Sequence, residues 1–159
     1  TDGTVDPTGV SGAGATWTAV GSAAAGNGII RGRCYVGIAP TGTGVQNLTI
    51  TYGSAPTYGV IATVEHRHNA DQTAGNYTCT VTTSGNQVLT VPTGGLGTST
   101  QFDTVDTRSI SGCTSTVHYS TFDVSVAYQA ASCTAASSTF TWSGYGANSI
   151  AIGMAGGKQ

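Results

Sequence analysis

At 159 residues the chain is long enough to bury one core without help from metals or disulfides, so neither is demanded by size. Only 8% of its residues are Asp, Glu, Lys or Arg, with one lysine, one glutamate and a net charge of −2, against about a quarter charged in an ordinary globular protein. That balance excludes nucleic-acid phosphates as the main partner, since no basic run exists to neutralise them.

Seven Tyr, two Trp and three Phe set the chain apart from disordered sequences. Its solvent face must therefore be built from Thr, Ser, Gly, Asn and Gln, with little charge to hold copies apart. Such a surface is expected in contact with other protein copies, outside the cytoplasm, or both. No apolar stretch approaches the roughly 20 residues that span a bilayer. No signal-peptide core stands at the N-terminus, and Thr1 follows either a removed Met or a removed leader.

Residues 1 to 27 are rich in Gly, Ala, Thr and Ser and read as an extended N-terminal arm that ends in a Gly26-Asn27-Gly28 turn. Trp17 is its one large side chain and its expected anchor, on the body or on a neighbour. Residues 28–159 read as a single β-sandwich domain. In its first strand, Ile29 to Ile38, alternation puts Ile30, Cys34, Val36 and Ile38 on one face and Arg31, Arg33 and Tyr35 on the other, with the two cations outward. Gln46 to Tyr52 repeats the period, with Leu48, Ile50 and Tyr52 inward. Tyr58 to His68 follows with Tyr58, Val60, Ala62 and Val64 on one face.

The segment Asn76 to Pro92 reads as a β-hairpin: Tyr77, Cys79 and Val81 alternate with threonines, Ser84-Gly85-Asn86 supplies the turn, and Leu89 and Val91 resume the period. Phe102 and Val105 mark a short strand within Gln101 to Ile110. Val117 to Gln129 reads as one long strand, and Phe140, Trp142, Ile150, Ile152 and Met154 as two segments split around Gly144 to Gly146. The count is about eight strands and no helix. Short strands joined by Gly-rich turns argue for an antiparallel β-sandwich of jelly-roll type. No internal repeat argues for a solenoid or propeller.

The four cysteines, Cys34, Cys79, Cys113 and Cys133, allow three pairings. Were Val117 to Gln129 one straight strand, its ends would lie about 40 Å apart, so a bond between Cys113 and Cys133 needs the chain to fold back near Ser120. Cys34 and Cys79 sit mid-strand on apolar faces and also fit two buried thiols that pack as small hydrophobes. No C-x-x-C is present, which excludes a zinc knuckle, a thioredoxin-like site and a c-type haem attachment.

The dense polar stretch is Glu65 to Asp71, where His66 and His68 share a strand face and Asp71 follows in a loop. Those residues could hold zinc or nickel, or simply hydrogen-bond their neighbours at a strand end. Tyr35, Tyr58, Tyr119 and Tyr145 could stack on sugars, or cover sheet faces. Asn47-Leu48-Thr49 and Asn76-Tyr77-Thr78 are glycosylation sequons, meaningful in a eukaryotic secretory setting. No G-x-S-x-G elbow or ordered triad appears near His118 and Asp123, and a single Glu leaves no obvious carboxylate pair for glycoside hydrolysis. The chain therefore reads as a non-enzyme with no cofactor.

GIIRGRCYVGIAP, QNLTITYGSAPTYGVIATVE and the closing ANSIAIGMA resemble jelly-roll domains of viral and cell-surface structural proteins. The resemblance implies an outward-facing module of the phage head-decoration or head-fibre type, often trimeric, without catalytic residues. The chain lacks the basic arm of many small viral coat proteins, which speaks against contact with a genome. The expected function is thus a homo-oligomeric structural protein that decorates or cements a larger assembly such as a capsid, on a virion surface or extracellularly. A secreted carbohydrate-binding or adhesion sandwich and an extracellular filament subunit are the alternatives. If the arm serves assembly alone, removing residues 1 to 27 should leave a folded domain that no longer associates.

Overall fold

The computed structural model describes residues 5–26, 31–38, 41, 45–55, 73–83, 87–92, 96–103, 109–111, 115–123, 126–133, 138–143 and 150–156. Among them are twelve strands and one short 3-10 turn, so the chain is all-β with antiparallel sheets. The strands are β1 (Pro7–Gly12), β2 (Thr16–Gly26), β3 (Arg31–Ile38), β4 (Leu48–Tyr52), β5 (Tyr77–Thr82) and β6 (Gln87–Val91), then β7 (Leu96–Asp103), β8 (Ser109–Ser111), β9 (Ser115–Asp123), β10 (Val126–Cys133), β11 (Ser138–Ser143) and β12 (Ile150–Gly156). They exceed the expected eight because the segment read as an arm holds two strands, β1 and β2, and because the run read as Val117 to Gln129 is divided between β9 and β10. No helix among the described residues is long and apolar enough to cross a membrane.

The described strands form four sheets: β1-β4, β2-β3, the five-stranded β5-β12-β7-β10-β9 and the three-stranded β6-β11-β8. The two arms of the expected hairpin are both strands, but they do not pair. β5 joins β12 in the larger sheet, while β6 joins β11 in the smaller one. Leu89 and Val91 face inward and are fully buried, whereas Val88 and Thr90 are exposed. The pattern that marks a half-buried strand is thus correct, but it is blind to which neighbour covers the strand. Val117 to Gln129 is likewise not one strand. The chain reverses between Asp123 and Val126, and β9 and β10 pair antiparallel with Cys133 opposite Ser115. That reversal falls later than Ser120 and returns Cys133 to the neighbourhood of residue 115 in sequence register. Cys113 lies outside the described residues.

The described part of the segment read as an arm is two paired strands. β1 pairs with β4 and β2 with β3. Between them Gly12 accepts a hydrogen bond from the Ala15 N–H at 3.3 Å. The two central residues of this turn, Ala13 at φ 57° and Gly14 at φ 63°, are both left-handed. Trp17 locks the same turn. Its Nε1–H donates to the Gly12 carbonyl at 2.9 Å, and its ring covers Gly37 so closely that a Cβ there would stand 3.0 Å from it. Trp17 therefore packs on the chain's own third strand.

Gly12 itself sits at φ +111°, and a Cβ on it would lie 2.2 Å from the Asn47 carbonyl oxygen. Backbone cannot swing away as a side-chain tip can. Gly12→Ala is expected to lower the unfolding free energy by about 2–3 kcal/mol, measurable as a reduced midpoint in a urea titration followed by tryptophan fluorescence.

One core cluster forms where β2 and β3 pack on β5 and β12. Val20, Cys34 and Val36 are buried there, with Ile38, Tyr77, Cys79, Ile152 and Met154 against them. Cys34 and Cys79 are disulfide-bonded, with Cα atoms 6.0 Å apart; they are not the two free thiols that their apolar setting also fitted. Gly32 permits the close approach of β3 to β12, since a Cβ there would collide with Ile152. On the opposite face of β12, Ala155 is buried. β6 approaches β12, β5 and β7 and brings Leu89 and Val91 to the same sheet.

Candidate functional site

The polar face of β3 carries the best-defined cluster among the described residues. Alternation puts Arg31, Arg33 and Tyr35 on the face opposite Cys34 and Val36. This face was expected to meet solvent. Instead the N-terminal strand crosses it, and all three side chains are half-buried. Arg31 forms a two-pronged ion pair with Asp6, through Nε to Oδ1 and through Nη2 to Oδ2 at 3.2 Å. Both partners are partly solvated, so the pair contributes at most about 1 kcal/mol. The Tyr35 hydroxyl donates to the Pro7 carbonyl oxygen at 3.1 Å.

Arg33 lies between these two contacts. Its guanidinium stands 5.6 Å from the centre of the Tyr35 ring, in reach of a cation–π interaction. Its Nε is buried and has no hydrogen-bond partner among the described residues. Tyr52, at the end of β4, is the register partner of Pro7. Its hydroxyl is also buried without a partner among the described residues. Burial, and secondarily the neighbouring Tyr35, push the Tyr52 phenol above its ordinary pKa of 10.0, so it stays protonated and remains a donor at neutral pH.

Two consequences are measurable at Tyr52. An unpartnered buried hydroxyl contributes nothing to offset its desolvation, so Tyr52→Phe is expected to be neutral or to stabilise by about 1 kcal/mol in chloride buffer at pH 7. A folded-state pKa raised above the unfolded value favours the native state fully below pH 10.0, and that contribution is lost as pH rises beyond it. Tyr52→Phe should therefore flatten the fall of melting temperature above pH 10, with Tyr35, Arg33, Arg31 and Asp6 unchanged around it. A mutant with the same alkaline slope as the parent protein would refute the assignment.

Chemically the cluster offers donors and a cation. Among the described residues it holds no nucleophile aligned with a base. Of the residues singled out by sequence, the structure brings Tyr35 to this face and fixes Trp17, Cys34 and Cys79 elsewhere, as above. His66, His68, Asp71, Tyr58 and Tyr145 lie outside the described residues. Tyr119 belongs to β9, where only the backbone is described. Among the described residues no three His, Cys, Asp or Glu groups gather as metal ligands. Sequence reading missed Asp6, Arg33 and Tyr52 as one cluster, although a signal existed: two of only five basic residues alternate on a single strand face.

The chain has no significant match to any protein-family model, curated protein or solved structure.

Proposed function

We propose that the protein is a non-enzymatic structural module of jelly-roll type that self-associates and decorates or cements a larger assembly, extracellular or on a virion surface. The observation that carries this reading is the order of the last eight strands. In a jelly roll an antiparallel ribbon is wound around a barrel, so the first strand pairs with the eighth, the second with the seventh and the third with the sixth, and the pairs alternate between two sheets. Starting from β5, that winding calls for β5-β12-β7-β10 in one sheet and β6-β11-β8-β9 in the other. Five of the six adjacencies it requires are present. β9 departs from it by pairing with β10 instead of β8.

This assignment shifts the sandwich along the chain. Two of the stretches that carry the resemblance fall in or around β3 and β4, ahead of the eight-stranded winding, and only the closing stretch enters it, as β12. The N-terminal strands then form an added layer over the β5-β12 edge. What supports self-association is the low charge: 8% charged residues leave little repulsion between copies. The glycan-binding alternative loses support at Tyr35, whose hydroxyl and ring are already engaged.

Light scattering on the purified protein, with and without a chelator, tests the proposal. A closed trimer or larger object is expected in chelator-free buffer. A stable monomer at every protein concentration would overturn it, and dissociation with chelator would bring His66, His68 and Asp71 forward as a metal bridge.

A further inference from the structure

The polar face of β3 combines three observations that a purely structural contact leaves unexplained. Among the described residues, Arg33 Nε and the Tyr52 hydroxyl are buried donors without acceptors. Most buried polar groups in folded proteins are satisfied, and those left over point to an ordered water or an ion. Among the described residues, two guanidinium groups face one carboxylate, Asp6, which Arg31 takes in a two-pronged pair. One positive charge is therefore left over among the described residues of the cluster. The two orphan donors are also tied to one locus: Tyr52 stands opposite Pro7 in the β1-β4 register, Pro7 accepts from Tyr35, and Arg33 lies over the Tyr35 ring.

We propose that Arg33 and Tyr52 form a binding site for a small oxyanion, a carboxylate or sulfate group, held by the Arg33 Nε–H and the Tyr52 O–H. A partly desolvated guanidinium selects an anion over water, because hydrogen bonds to charged groups are about twice as strong as neutral ones. Tyr35 supports the site by fixing the guanidinium with its ring and the N-terminal strand with its hydroxyl. The site stands independently of the assembly reading.

The test is thermal melting of the full chain in sodium sulfate and in sodium acetate, against sodium chloride at matched ionic strength, for the parent protein, Arg33→Gln and Tyr52→Phe. The parent is expected to show a rise in melting temperature that saturates with oxyanion concentration and is absent in chloride. General salting-out by sulfate does not saturate and acts on all three proteins alike. Arg33→Gln should abolish the saturating component, and Tyr52→Phe, which keeps the ring and the fold, should weaken the apparent affinity roughly ten- to a hundredfold. A response that never saturates, or one identical in all three proteins, overturns the proposal. Native mass in the same buffers separates two sources of the group, given the saturating shift: a mass that falls in sulfate assigns it to a carboxylate of a second copy, and an unchanged mass to a free ion.

Discussion

Replacing Cys34 and Cys79 together by alanine is expected to lower the unfolding free energy by about 4 kcal/mol, the chain-entropy value for a loop of 45 residues. A typical domain has about 5–15 kcal/mol in total, so the variant should sit close to the edge of folding at 37 °C. The bond matters beyond entropy because of what it joins. Cys34 is on β3 and Cys79 on β5, so the bridge ties the N-terminal strands to the five-stranded sheet across the core cluster of Val20 and Val36. A denaturant titration of the double variant, compared with the parent protein in the presence and absence of a reducing agent, measures this directly. Reductant should bring the parent down to the level of the variant. Equal stability of all three would show that the bridge contributes nothing.

Deleting residues 1 to 27 is expected to abolish cooperative folding, in contrast to what an assembly-only arm would allow. The deletion removes β1 and β2, and with them every backbone pairing of β3 and β4 among the described residues. It takes away Val20, which is 3% exposed, and burial of one such side chain is worth about 1.5–3 kcal/mol. Arg31 loses Asp6 and Tyr35 loses the Pro7 carbonyl. β3 is left as an unpaired edge with two arginines and a disulfide, a template for pairing with another chain. Far-UV circular dichroism against temperature reads the outcome. A truncated protein that melts cooperatively within a few degrees of the full chain would return the segment to the role of a dispensable arm.

The local grammar of this chain is legible because a period of two writes burial directly into sequence. Cys34 and Val36, Leu48, Ile50 and Tyr52, and Leu89 and Val91 all turn toward the protein as alternation requires. Partnership is a different kind of information. Gln87 to Val91 has the same pattern whether it closes a hairpin on β5 or crosses to β11, and the choice is made by contacts distant in sequence. The break between β9 and β10 was hidden for a related reason. Asp123 and Val126 flank Val124-Ser125, a pair with neither Gly nor Pro to announce a reversal. At the polar face of β3 the residue types were visible, but a strand of threonine and glycine gave no sign that it would lie across them. Asp6, twenty-five residues away from Arg31, is the partner that only the fold supplies.

The crossing of the chain from one sheet to the other after β5 is the step on which the proposed sandwich, and through it the proposed function, depends. Nuclear Overhauser contacts between backbone protons in the isotope-labelled protein report it. Cross-strand contacts of Leu89 with Phe140, its partner in the β6-β11 register, are expected. Contacts of Leu89 with Val81 in their place, as a closed hairpin around Ser84-Gly85-Asn86 would give, would contradict it.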